Sequence, residues 1–176
     1  MMRREQMMMG GSARTMLSRG VAVAAMLAVV PVLLAATPAS SADREFVGKV
    51  SQGGLYEVEA GKVVAMRGQT GFVKDFGATE VHDHTGVNAE LHKIAAATGV
   101  SIAPGLNAEF TERLNKLKAV PAGQFDSYYV GDMKQIHDKD EGLFVKESQE
   151  GSDAYKEFAH GTAVIVKGHI GALGTV

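Results

Sequence analysis

Cysteine is absent from the 176-residue chain. That absence excludes disulfides, thiolate metal ligands and lipid attachment through a cysteine. Any metal ion must therefore be held by histidine and carboxylate. Proline is scarce: there are four, and Pro104 and Pro121 both fall between residues 99 and 123. No excess of positive charge exists, since the formal net charge is −2. That balance argues against nucleic acid or an anionic membrane surface as a partner. No glycine-rich phosphate loop follows a strand, and nothing resembles a nucleophile elbow or an ordered catalytic triad, so the balance is against an enzyme. A long apolar run is missing as well. The main one, Val21 to Leu34, is shorter than the ~20 residues a membrane-spanning helix needs.

That short run has a different meaning. Arg3, Arg4, Arg14 and Arg19 precede it, and Ala36-Thr37-Pro38-Ala39-Ser40-Ser41-Ala42 follows with a helix breaker and small residues. This is the layout of a secretory signal peptide over residues 1–42, cleaved after Ala42, with an uncleaved anchor as the alternative. The expected product is a domain over 43–176, in the periplasm or associated with the outer envelope, without a spanning segment. The leader takes four Arg and one Glu, so the remainder carries 14 basic and 19 acidic residues and a net charge of −5. All six histidines lie in that remainder.

The remainder reads as helices. From Asp43 to Arg67, the residues Phe46, Val50, Gly53, Glu57, Gly61 and Val64 share one face. Gly68-Gln69-Thr70-Gly71 is a turn, with Thr70 placed to cap a second helix from Gly71 to Thr98, which Gly99 ends. Gly99 to Gly123 is too long for a tight connection and suits a crossover, with a short amphipathic piece through Phe110, Leu114 and Leu117. A third long helix spans about Gln124 to Gln149, with Tyr129, Met133, Ile136, Asp140 and Phe144 along its stripe. After a turn at Gly151-Ser152-Asp153, the last segment aligns Tyr155, Phe158, Thr162, Ile165 and His169. Thr162 to Val166 is as good a strand as a helix by propensity, but a strand there would have no partner, so a helix is expected. Long helices joined by short, long and short connections describe an all-α, ferritin-like four-helix bundle with its crossover between helices 2 and 3. In that topology helices 2 and 3 are parallel, and 1 and 4 run against them.

Polar residues interrupt the apolar stripes. They are Glu57 on the first helix, Glu80 and His84 on the second, His137 and Asp140 on the third, and His169 on the fourth. Counting from the helix ends at 1.5 Å per residue brings them within roughly 6 Å of one level. Four helices placing carboxylates and imidazoles at one depth is how bundle metal sites are built. The Glu-x-x-His spacing of di-iron bundles does not occur, because Glu80 and His84 are four apart and His137 precedes Asp140. That argues against octahedral iron chemistry; a mononuclear site with mixed nitrogen and oxygen donors, suited to Zn, Cu(II) or Ni(II), is easier to assemble, and the expected cofactor is one transition metal ion (Zn, Cu or Fe). Asp140 and Glu80 would bind directly or support the other ligands. His82 and His160 face away, and His92 is at the border. The competing reading is a structural or interaction protein with an envelope partner, in which the polar core is a hydrogen-bonded network fixing helix register.

Several stretches together resemble a known family. They are Gln52-Gly53-Gly54-Leu55-Tyr56-Glu57-Val58-Glu59-Ala60-Gly61-Lys62; Val73-Lys74-Asp75-Phe76-Gly77 leading to Asp83-His84-Thr85, Asn88 and Leu91; Phe125-Asp126-Ser127-Tyr128-Tyr129 with His137 and Leu143-Phe144; and Phe158-Ala159 followed by His169. In this order they are similar to an exported bacterial family described as outer membrane proteins, the domain of unknown function DUF4142. The resemblance implies a ferritin-like bundle and an envelope setting without an established activity. It also implies that His84, His137 and His169 correspond to the family's recurrent histidines and Glu57 to its first-helix glutamate. The chain departs from the pattern in its glycine-rich last helix.

Overall fold

The structure is a computed structural model that describes residues 37–176; most of the expected leader lies outside the described residues. It contains α1 (Ser41–Arg67), α2 (Gly71–Thr98), α3 (Ala108–Ala119), α4 (Ala122–Glu150) and α5 (Asp153–Leu173). The four long helices are the bundle, and α3 is the amphipathic piece within the crossover. The last segment is helical despite its β-branched run.

Helix α1 starts two residues before the expected Asp43, for a local reason. The Ser40 hydroxyl accepts from the Asp43 amide (3.1 Å), and the Asp43 carboxylate accepts from the Ser40 amide (2.6 Å). This reciprocal pair satisfies two amides that a helix start otherwise leaves open. Asp43 also accepts from the Ser152 amide at 3.0 Å, which ties the start of α1 to that of α5. Burial works against its charge, but these donors outweigh it and hold the carboxyl at about 2. Upstream, Ala39 is buried and its amide donates to the Thr98 carbonyl (3.2 Å). At the other end of α1, Thr70 caps α2 as expected, its hydroxyl accepting from the Val73 amide. Asp126 of α4 accepts from the amides of Gln69 and Thr70, so the same turn is pinned to the start of α4. Helix α4 begins at Ala122, two residues before the expected Gln124, directly after the fixed φ of Pro121. Gly99 ends α2 with φ +74°, a left-handed value that glycine adopts without strain.

Helices α1 and α2 form one tight antiparallel pair and α4 and α5 the other. The helix α1 also borders α4, α2 borders α5, and α3 lies over α1 and the edge of α4. Helices α2 and α4 are parallel, as the connections require. The closeness of α1 and α2 depends on two glycines: a Cβ on Gly61 would stand 2.5 Å from the Gly77 carbonyl oxygen and 2.7 Å from a Val81 methyl, and one on Gly77 would stand 2.7 Å from a Val64 methyl. Gly61→Ala is therefore expected to destabilise the bundle by about 1–3 kcal/mol through overpacking. Gly161→Ala on α5, where a Cβ meets nothing within 4 Å, should stabilise it by up to about 1 kcal/mol through helix propensity. Urea midpoints of the two variants test this, and midpoints moving in the same direction would contradict it.

The apolar core has two parts. One gathers Tyr56, Val64, Phe76, Leu117, Phe125, Tyr129 and Leu173. The other gathers Phe46, Val50, Leu91, Phe144, Tyr155 and Phe158. Between them lies a layer that is not apolar.

Candidate metal centre

The layer holds Glu57 from α1, Glu80 and His84 from α2, His137 from α4 and His169 from α5, none more than 4 % exposed. The sequence stripes placed all five at core positions, and the helices bring them together. Glu80 is the centre of the group. Its Oε2 lies 3.1 Å from His84 Nε2, and its Oε1 lies 3.3 Å from His137 Nε2 and 3.2 Å from His169 Nδ1. Glu57 lies 3.1 Å from His84 Nδ1 and 3.7 Å from His137 Nε2. One donor atom from each of Glu80, His84, His137 and His169 falls within 4.8 Å of the other three. Phe76 forms the apolar floor, its ring centre 6.3 Å from that of His137 and 5.7 Å from that of His169.

These short separations are not hydrogen bonds. All four carboxylate oxygens of Glu57 and Glu80, and His84 Nε2, lack an aligned partner. The imidazole N–H directions miss the oxygens beside them. Leaving a buried polar group unsatisfied costs about 1–3 kcal/mol, so five such atoms in one place need an explanation. The outer partners of the rings supply part of it. His137 Nδ1 lies 2.9 Å from the Met133 carbonyl oxygen, which can only accept, so that nitrogen carries the proton. His169 Nε2 lies 3.0 Å from Asp83 Oδ2. The contacts of Asp83 with His82 and His169 outweigh its burial and keep this carboxyl below its ordinary range. In the neutral rings, the remaining nitrogens of His137 and His169 then point lone pairs at each other across 3.0 Å. Only a positive centre relieves that arrangement. The pattern of carbonyl or carboxylate, imidazole, then cation is how metal-binding histidines are oriented.

Without a metal, protons play that part. Burial lowers the affinity of His84 for a proton, but the charge of Glu57 and the contact with Glu80 prevail and lift its pKa to about 9. His137 is also lifted to about 9 against its burial, by contact with Glu80 and the charge of Glu57. Burial would raise Glu80, yet its imidazole neighbours hold it at about 2. Glu57 is pushed up to about 7, chiefly by burial, with His84 pulling the other way.

Asp140 does not join the converging set. It lies three residues beyond His137 on α4, and its carboxylate faces a crevice beside Gly53 of α1. Both residues project from the same stripe, but one turn of helix separates their levels. Burial pushes Asp140 up to about 6. His82 and His160 are exposed, as expected, and His92, expected at the border, is exposed as well. Two contributors were not visible in the sequence. Asp83 sits one position off the α2 stripe; it belongs to the family-like stretch Asp83-His84-Thr85, but no periodicity gives it a role until α5 is placed beside it. The Tyr129 hydroxyl reads as part of an apolar stripe, yet it is buried without a hydrogen-bond partner, and its ionisation is suppressed by burial and by the charges of Glu80 and Glu57.

Fold and layer define the class: a ferritin-like helical bundle whose core encloses a carboxylate–imidazole cluster able to hold a metal ion. The particular family follows from the sequence comparison. A family model described as a domain of unknown function, DUF4142, matches residues 30–175, and the chain belongs to that family. A crystal structure of a DUF305 fragment from Deinococcus radiodurans is similar, with a TM-score of 0.68 and 14% identity, over 79% of this chain and 99% of that one. At that identity the likeness concerns the fold alone. No curated protein sequence matches the chain.

Proposed function

We propose that this protein is exported to the bacterial envelope and binds one transition metal ion in the bundle core, in metal handling or envelope stress. His84, His137, His169 and Glu80 would hold the ion, with Glu57 completing or balancing the set. The observation that carries this reading is the group of buried carboxylate oxygens that stand beside imidazole nitrogens without hydrogen-bonding to them. In a tetrahedral site with bonds of about 2.0–2.1 Å, neighbouring donor atoms are about 3.3 Å apart; Glu80 Oε1 lies 3.2–3.3 Å from the His137 and His169 nitrogens and Oε2 lies 3.1 Å from His84, while the four donors as a set fall within 4.8 Å of one another and would draw in around an ion. Three imidazoles with carboxylate suit Zn, Cu or Fe better than Mg or Ca. The donors are covered on every side, with no face open to a substrate, which favours holding an ion over catalysis on it. The leader motif supports export, and no described helix is long and apolar enough to cross a membrane.

The test is stoichiometry. Purified protein is incubated with Zn(II), Cu(II) or Fe(II) in turn, dialysed, and analysed for metal per chain. One of the three ions should be retained at one per chain by the wild type and lost in His137→Ala. Equal, trace retention by both proteins would overturn the reading and leave a proton-held polar layer in a structural or interaction protein of the envelope.

A further inference from the structure

The cluster is almost wholly covered, so an ion must pass between side chains to reach it. A crevice of about 300 Å³ opens between α1, α3 and α4, with Gln52, Gly53, Phe110, Arg113, Lys139 and Asp140 among its walls. Its inner wall lies one helical turn from the cluster on two helices at once: Gly53 is four residues before Glu57, and Asp140 is three after His137. Asp140 is 9 % exposed and makes no hydrogen bond or ion pair among the described residues. The side chain is thus mostly covered and without a protein partner, with its carboxylate turned into the crevice, where a cation can meet it. Of the positive charges lining the crevice, Lys49 pairs with Glu45 and Arg113 with Asp132, each at 2.7 Å, and Lys139 makes no ion pair among the described residues. Asp83, the other acid beside the cluster, is already committed to His169 and His82. Gln52 holds the crossover wall in place, donating to the Gly105 carbonyl (3.2 Å) and accepting from the Asn107 amide (2.6 Å).

We propose that this crevice is the route by which a divalent transition metal ion enters and leaves the core, with Asp140 as the transfer ligand at its inner end. The inference rests on the metal-binding reading. Asp140 takes the ion from water and passes it across one turn to His137 and Glu57. Gly53 keeps the passage open, because a side chain there would project beside the Asp140 carboxylate: its Cβ would lie 3.6 Å from Oδ2, an ordinary contact distance. A Cβ is therefore accommodated there, and the atoms beyond it would narrow the path.

Co(II), whose absorption reports its coordination, is the probe. Uptake is followed by stopped flow, and release by challenge with a chelator, in the wild type, Asp140→Asn and Gly53→Leu. A residue on the route changes both rates together and leaves the equilibrium constant unchanged. Both variants should slow uptake and release by about tenfold, the scale on which a charged cleft alters association rates, with Co(II) affinity within about twofold of the wild type. Wild-type rates in both variants would overturn the route. Faster release and weaker binding in Asp140→Asn would overturn it in favour of Asp140 as a resident ligand. A wild type that takes up no Co(II), Zn(II), Cu(II) or Fe(II) overturns the metal reading itself, and the route with it.

Discussion

Saturation with its metal is expected to raise the melting temperature of the protein by about 10 °C. An ion that binds only the folded state stabilises it by about 2.7 kcal/mol at a hundredfold excess over its dissociation constant. For a domain of this size, each kcal/mol corresponds to a few degrees. His84→Ala and His169→Ala should abolish the shift. The pH dependence should flatten on loading. In the metal-free protein, His84 and His137 bind protons up to about 9, whereas the unfolded chain releases them near 6.5. Between those values the folded state holds more protons, so its stability falls as pH rises from about 6.5 to 9. Glu57, pushed up to about 7, adds a decline in the same direction below that window. A bound metal displaces the protons, and its affinity grows as they become easier to remove. The increment in melting temperature from metal should therefore be larger at pH 8.5 than at pH 6. Scanning calorimetry at the two pH values decides the matter. An increment that shrinks on going to alkaline pH would mean that protonated imidazoles are not what the ion replaces.

The second large effect is that of Glu80→Leu, expected to cost about 3–5 kcal/mol in metal-free protein, the usual penalty for removing one partner of a buried charge pair. Glu80 is the one carboxylate in reach of all three imidazoles. Leucine nearly preserves its volume, so the loss would come from leaving imidazolium charge buried without its counter-charge. Glu45→Ala, which breaks an exposed pair with Lys49, should leave the urea midpoint unchanged, as exposed pairs contribute little. A Glu80→Leu protein as stable as the wild type would show that the layer is not ionised.

Much of this arrangement was legible in the chain. Helices α1 and α2 were bounded closely because Thr70 and Gly99 punctuate them with side-chain and backbone chemistry that acts locally. Glu57, Glu80, His84, His137 and His169 could be found because a polar residue at a core position breaks a 3.6-residue pattern. Asp140 breaks the pattern too, but the stripe gives a face and not a depth, and one turn of helix separates a ligand from its neighbour. Asp83 was invisible for the opposite reason: its role depends on how α5 lies against α2, and no periodicity within α2 encodes that. Similarly, Ser40 acquires its meaning only from Asp43 beside it and from the end of α5 that Asp43 reaches.

The polar layer also divides the apolar core in two, with Phe76 and Tyr129 on one side and Leu91 and Phe144 on the other. Sliding any long helix by one turn, about 5.4 Å, would carry a charged side chain into one apolar compartment and leave an aromatic ring among imidazoles. Bundles filled uniformly with leucine tolerate such slippage because every layer resembles the next. Here each long helix carries a polar mark, two of them on α2, that matches one level of its neighbours. The misaligned and reversed bundles that four amphipathic helices could otherwise form are thereby disfavoured, even before an ion arrives.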